Sequence, residues 1–279
     1  MKERNASHTA LATAYLRAAH QVIDTGLRVL DDPVILNLLG PEAERRIQGS
    51  MERYSSPVAQ ALRSHVVLRS RYAEDRLESS IQRGIHQYVL VGAGFDTFAL
   101  RQPPWAATLR IIEVDHPDTQ RLKLSKISRA GIAVPSNVVF AGVDFEQESL
   151  EQGLTRIGVR TDMPTFFSWL GVTMYLTKAA IRATLRCMAS FPKGSEAVIT
   201  FLQRPPDGSP ALKALAERVS HSGEPFISFF TPESFKEELF AAGFSEAHFL
   251  TPELSSVFFP ENQSSLPNPS RVSIVSAVV

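Results

Sequence analysis

The sequence contains one cysteine, Cys187, so an intrachain disulfide and a cysteine-built metal cluster are both excluded. Neither sign of charge is in excess: Lys+Arg and Asp+Glu number 29 each. No global field is therefore available to gather nucleic acid or an anionic membrane, and neither is expected as a partner. No uncharged apolar run reaches about 18 residues, so no membrane span is expected. Met1 to Ala19, interrupted by Glu3, Arg4, His8 and Arg17, lack the apolar core of a signal peptide, and a cytoplasmic location is the expectation. His-Glu-x-x-His, Cys-x-x-Cys and Gly-x-Ser-x-Gly patterns are missing, which leaves zinc and serine-hydrolase chemistry without their usual signatures. Internal repeats and low-complexity tracts are missing too.

What is present is an ordinary globular composition, 279 residues with 44% apolar and 21% charged. That length suffices for one large domain, or one domain with a substantial attachment, around a sizeable core. Ser7 to Gly84 reads as successive helices: Leu11, Tyr15, Leu16 and Ala19 fall at helical spacing. Asp32-Pro33 reads as a helix start with Asp as N-cap, and a long helical stretch runs from about Pro57 to Arg83, ending at Gly84. From Ile85 the pattern changes. Short β-rich runs occur at Tyr88 to Val91, Leu109 to Val114, Val138 to Ala141, Thr165 to Leu170 and Ala197 to Leu202. Helical patterns separate several of them, at Thr119 to Ala130, Leu150 to Ile157 and Lys178 to Phe191. Apolar strands alternating with helices predict a mostly parallel sheet covered on both faces. Thr231-Pro232 opens a further helix closed by Gly243, with two more strands expected in Phe244 to Leu250 and Val272 to Val279. The stretch 204–230 reads as an insertion, either a lid or a surface loop.

Three strand ends carry candidate chemistry. The first is Gly92-Ala93-Gly94, whose glycines permit a tight turn and close backbone approach to a nucleotide-like ligand. A third glycine, as in a dinucleotide fingerprint, would fall at position 97, where Thr97 stands. No Gly-Lys-Ser/Thr follows, which excludes a phosphate-binding P-loop. The second is Glu113-Val114-Asp115. An acid about 20 residues beyond the glycine turn, at a strand tip, suits the two hydroxyls of an adenosine ribose, and the spacing favours Asp115. The third is Asp144-Phe145, an acid for the exocyclic amine of adenine beside an apolar neighbour for its ring. Asx residues also terminate strands for local reasons.

With these motifs in order, the sequence resembles the leucine carboxyl methyltransferase family, in particular its bacterial branch of S-adenosylmethionine-dependent O-methyltransferases that includes polyketide methyltransferases. The likeness rests on the segment Arg69 to Arg101, with Gln87 to Thr97 and Arg101, on Glu113-Val114-Asp115-His116-Pro117, on Phe167 to Leu176, and on Leu16 to His20 through Asp31-Asp32-Pro33. It runs from about residue 10 to 180. The resemblance implies an α/β fold: a class I methyltransferase, Rossmann-like, mostly parallel sheet with helices on both faces and an N-terminal helical cap. The expected division is a cap over 1–84 and a cofactor-binding domain over 85–279, packed as one compact unit.

The resemblance also implies roles. Arg69 would pair with the carboxylate of S-adenosylmethionine through a bidentate guanidinium contact, with Arg71 as the neighbouring alternative and Arg17 as a second contact. Gly92, Ala93 and Gly94 would pass beside the cofactor, Asp115 would hold its ribose, and Asp144 and Phe145 its adenine. Many relatives carry an acid where this chain has Leu170. No metal is implied. The acceptor is expected to be a small molecule, methylated on a carboxylate or hydroxyl and belonging to secondary metabolism, by a monomer or small homo-oligomer. A carboxylate is ionised at neutral pH and needs no base, whereas a hydroxyl benefits from one, for which Tyr175, His116 and His221 are candidates. The competing readings are a carboxyl methyltransferase acting on a protein or peptide C-terminus, a NAD-dependent oxidoreductase, and a non-catalytic cofactor-binding protein.

Overall fold

The structure, a computed structural model, describes residues 7–145, 147–203 and 225–279. Five helices precede the first strand: α1 (His8–Val22), α2 (Val34–Leu39), α3 (Ala43–Gln48), α4 (Met51–Ser55) and α5 (Pro57–Ile81). The sheet then alternates with helices: β1 (Gln87–Val91), β2 (Arg110–Asp115), α6 (Pro117–Arg129), β3 (Val138–Gly142), α7 (Leu150–Arg156), β4 (Thr165–Trp169), α8 (Lys178–Ala189) and β5 (Glu196–Thr200). The chain ends with α9 (Pro232–Ala242), β6 (Glu246–Phe249), α10 (Pro252–Ser255) and β7 (Ile274–Val278).

The seven strands lie in the order β3-β2-β1-β4-β5-β7-β6, and β7 runs antiparallel to both of its neighbours. The other pairings are parallel. Alternation along each strand splits its side chains between two cores. Val89, Val91, Phe167, Trp169 and Ile199 pack on one face with Ile181, Leu185 and Met188 of α8 and Phe235 and Leu239 of α9. Tyr88, Leu90, Phe166 and Val198 pack on the other with Val67, Leu68 and Leu77 of α5. Burial on both faces is why β1 and β4 read as continuous apolar runs.

The helical segment expected over 1–84 divides in two. Helix α5 belongs to the layer on the sheet, where the Ser56 hydroxyl caps it at Ala59 N–H (3.3 Å) and Pro57 takes its first turn. Helices α1 to α3 instead build a small third core of Ala14, Ala18, Ile35, Leu38 and Ile47 against Phe95 and Ile127. Helix α1 crosses the carboxyl ends of β1 and β2. A β-carbon on Gly94 would stand 3.2 Å from that of Ala10, the Ser7 N–H donates to Thr119 Oγ1 (3.1 Å), and Arg17 donates to the Phe95 carbonyl.

Asp32 does not cap α2, whose N-cap is Pro33 with no side-chain hydrogen bond. Its carboxylate is instead fully buried between two guanidiniums, 3.3 Å from Arg17 Nε and 3.5 Å from Arg101 Nε. Two cations hold a buried carboxylate better than a helix N–H would, because an unpaired charge in the interior is far more costly than a missing side-chain cap.

Candidate cofactor-binding site

Strand order reverses between β1 and β4, so the connections leaving their carboxyl ends diverge and open a crevice, where ligands bind in sheets of this kind. At the end of β1 the chain turns at Gly92. The N–H groups of Gly92 and Ala93 both donate to the Val114 carbonyl (2.8 and 3.0 Å), which stitches the turn to the end of β2. Gly92 has a φ of +69°, and a β-carbon there would meet Val172 Cγ2 at 2.4 Å. Neither the conformation nor the space admits a side chain.

The turn is not followed by an α-helix. Single 3-10 turns at Phe98–Leu100 and Pro104–Ala106 carry the chain to β2, and Thr97 is buried. A dinucleotide diphosphate is bound at the N-terminus of a helix in this position, and this connection offers none.

Asp115 closes β2 and faces the crevice. Its Oδ2 accepts from the Gly94 N–H and its Oδ1 from the His116 N–H (2.6 Å). Burial pushes its carboxyl up from the ordinary range against the pull of these two backbone donors. Glu113, on the same strand face but one step deeper, is buried in an ion pair with Lys123 of α6 and lies off the pocket wall. Period-2 spacing brings the two acids onto one face, and only depth separates their surroundings.

Arg69 and Arg71 are separated by helix phase: two residues along a helix correspond to about 200° of rotation. Arg71 points to solvent and pairs with Asp75 at 2.7 Å, so it is not at the pocket. Arg69 reaches the pocket and lies over Gly171, whose β-carbon would stand 2.5 Å from its Nη1. Among the described residues no carboxylate is within ion-pair distance of Arg69. Burial, and then the charge of Arg17, lower its pKa to about 10, which leaves a cation at neutral pH without a counter-ion.

Arg17 also lines the pocket, but its guanidinium is engaged by Asp32 and the Phe95 carbonyl. Phe145 lines the pocket. Asp144 sits beside it, accepting from Gln147 Nε2 (2.8 Å) and 3.8 Å from His116 Nε2. His116 is on the wall at the tip of β2, and its Nδ1 caps α6 by accepting from the Asp118 N–H (3.2 Å). Leu170 and Tyr175 stand on the wall after β4, and the Tyr175 ring lies 5.4 Å from that of Phe226. His221 and most of the 204–230 insertion lie outside the described residues. Several wall residues carried no assigned role in the sequence, among them the polar side chains of Thr13, Ser70, Asp96 and Ser168. Asp96 carried a signal, since it follows the turn directly.

A Rossmann-like sheet in this order, with a bare glycine turn at the switch point and an acid closing β2, defines a class I methyltransferase. The leucine carboxyl methyltransferase family model matches residues 10–189. The chain is 30% identical to YktD of Bacillus subtilis over 95% of each chain, a protein named for S-adenosyl-L-methionine-dependent methyl transfer. A protein named for the same activity from Parafrankia is 30% identical over 61% of this chain and 54% of its own. Among solved structures, a DUF574-family protein from Streptomyces avermitilis shares the fold (TM-score 0.59, 13% identity, 98% and 97% of the two chains). So does a Thermobifida fusca structure named as a methyltransferase (TM-score 0.57, 17% identity, 87% and 91%). The chain belongs to the leucine carboxyl methyltransferase family and is an S-adenosylmethionine-dependent methyltransferase. Among the described residues no helix is long and apolar enough to cross a membrane.

Proposed function

We propose that the chain methylates an oxygen, carboxylate or hydroxyl, of a small molecule, with S-adenosylmethionine held at the carboxyl ends of β1, β2 and β4. The observation that carries the reading is the Arg69 guanidinium, without a carboxylate in ion-pair distance among the described residues, on the pocket that the bare turn at Gly92 also lines. A cation held without a counter-ion on a pocket wall is arranged for an anion that arrives with the ligand. The remaining wall suits the same molecule: Asp115 for the ribose hydroxyls, Phe145 for the adenine ring with Asp144 at its edge, and Gly92 to Gly94 where a side chain would intrude.

When bound, S-adenosylmethionine supplies a methyl group on a sulfonium, open to in-line attack. The protein's contribution is orientation and exclusion of water. Helix α1 roofs the crevice with Ala10, Thr13 and Arg17, and Tyr175, backed by the Phe226 ring, lines it beyond Gly171. A carboxylate acceptor attacks as it stands, and no proton moves. A hydroxyl acceptor gives up its proton to solvent as the new O–C bond forms, and Tyr175 is the better placed candidate to orient that hydroxyl. His116 spends Nδ1 on the α6 cap and faces Asp144. A pocket recessed beneath α1 favours a small acceptor over a folded protein. We place the enzyme in the cytoplasm, as a monomer or small homo-oligomer, serving secondary metabolism.

Incubation with methyl-labelled cofactor and size-separated cell extract tests the acceptor: label is expected in the small-molecule fraction, and label in macromolecules would replace this reading with the protein C-terminus. Thermal shift tests the ligand. S-adenosylhomocysteine is expected to raise Tm and NAD to leave it unchanged, and the reverse pattern would overturn the assignment. Tight cofactor binding without turnover on any acceptor fraction would mark a non-catalytic protein.

A further inference from the structure

The amino-acid end of S-adenosylmethionine is zwitterionic, and Arg69 answers only its carboxylate. Leu170, on the pocket wall after β4, packs partly into the core beside the sheet and offers no charge. Among the described residues on the pocket wall the carboxylates are Asp96 and Asp115. Asp115 stands at the tip of β2 with both oxygens on backbone donors. Asp96 stands on the Arg69 side, close enough that its charge raises the pKa of Arg69.

Its geometry leaves one oxygen available. The Asp96 N–H is tied to the Ala93 carbonyl (2.8 Å), and Oδ1 accepts from the Phe98 N–H (2.8 Å), so both backbone and carboxyl are fixed by the turn. Oδ2 is 3.9 Å from Arg17 Nη1, beyond hydrogen-bond length, while Arg17 itself is held by Asp32 and the Phe95 carbonyl. The side chain keeps 18% of its surface, on the pocket wall.

We propose that Asp96 receives the α-ammonium group of S-adenosylmethionine through Oδ2, the carboxylate oxygen that the β1 turn leaves on the pocket wall. The inference rests on the cofactor site given under Proposed function. With Arg69 it forms a cation and an anion on one side of the pocket, matched to a zwitterion, and it assigns Asp96 as a donor-specificity residue.

Calorimetric titration of the full chain tests it, using S-adenosylhomocysteine and its analogue lacking the α-amino group, 4-(adenosylthio)butanoate. Asp96→Asn is expected to weaken S-adenosylhomocysteine about tenfold, the scale of one hydrogen bond to a charged group, and to leave the deaminated analogue within about twofold on the same scale. Asp96→Ser keeps an acceptor for the Phe98 N–H, guards against a folding defect, and should behave alike. Equal weakening of both ligands would overturn the proposal, since Asp96 would then act only by supporting Arg17 and the turn. Unchanged affinity for S-adenosylhomocysteine would overturn it as well. A wild-type chain that binds neither ligand would overturn the cofactor site itself, a different failure.

Discussion

The Arg69 guanidinium occupies the space a side chain at position 171 would need: a β-carbon on Gly171 would lie 2.5 Å from Nη1 and 3.0 Å from Cζ. Gly171 also has a φ of +77°, so Gly171→Ala combines backbone strain with displacement of the cation. It should weaken S-adenosylhomocysteine by about tenfold or more, and Arg69→Met by about 10- to 100-fold, as loss of a charge-assisted pair implies. Arg71→Ala, on the opposite face, should leave affinity unchanged. Because among the described residues no carboxylate lies within ion-pair distance of Arg69, Arg69→Met should not lower the Tm of the ligand-free protein. A drop in Tm as large as the drop in affinity would mean that Arg69 holds the fold rather than the ligand.

Glu196 predicts the response to acid. Its carboxylate is fully buried at the start of β5 and accepts from Arg76 Nε (2.6 Å), Ser276 Oγ (2.6 Å) and Ser80 Oγ (2.9 Å). Burial alone would raise its pKa, but these hydrogen bonds and the Arg76 charge outweigh it and hold the carboxyl below its ordinary value. A carboxyl depressed in the fold contributes stability that is present above its unfolded pKa and is lost as pH falls through the folded one. His65 acts in the same direction from higher pH. Burial, with Arg69 beside it, holds its pKa at about 4, so the unfolded chain takes up a proton below about 6.5 that the fold refuses. Burial raises the Glu113 carboxyl to about 7, and this opposes His65 over the same window, so urea midpoints should fall chiefly below about pH 4.5, where the unfolded Glu196 carboxyl takes up its proton. Glu196→Gln should flatten the lower part of that curve, and Glu196→Ala should lower stability at pH 7 by about 3 kcal/mol, as for a buried pair broken on one side.

Much of this was legible in the sequence, and the reasons are local. β1 and β4 are buried on both faces, so their apolar runs stand out without alternation. Helix α9 announces itself through Thr231-Pro232 and Gly243, which act within a turn of their own positions. The glycine turn and Asp115 could be read because both sit at strand tips a fixed distance apart. What could not be read depends on partners brought together by the fold. Arg69 and Arg71 are equivalent in composition, and only the phase of α5 separates them. Asp32 has the look of a cap, yet its partners Arg17 and Arg101 come from α1 and from the turn after β1. Glu113 and Asp115 share a strand face, and only the approach of Lys123 tells the structural acid from the one on the pocket wall.

Asp32 supplies a further prediction. Removing its charge leaves Arg17 and Arg101 without their shared anion, although Arg101 keeps Glu74 and Arg17 keeps the Phe95 carbonyl. Asp32→Asn should lower stability by about 2–3 kcal/mol, toward the low end for a broken buried pair because those partners remain. Arg17 roofs the pocket, so the same variant should also weaken S-adenosylhomocysteine. A variant as stable as wild type by urea unfolding would show that Asp32 is dispensable to the joint between α1 and the β1 turn.

Cys187 offers a native-state probe. It lies on the buried side of α8 with 9% of its surface exposed, and burial pushes its thiol up to about 12. Thiolate is the reactive form, so both accessibility and ionisation oppose modification of the folded protein. A disulfide exchange reagent should label one thiol at once in denaturant and almost none under native conditions. Native labelling should then proceed at the rate at which α8 leaves the sheet. If that opening is global unfolding, a ligand that binds only the folded state reduces the open population by the factor 1 + [L]/Kd. Saturating S-adenosylhomocysteine should therefore slow labelling in proportion to its concentration, and Arg69→Met should cut that protection by about 10- to 100-fold at the same concentration while leaving the ligand-free rate unchanged. Labelling that ignores the ligand would place the opening in α8 alone, which packs away from the pocket against α9 and β4. The outcome thus decides whether the cofactor site and the far face of the sheet unfold as one unit.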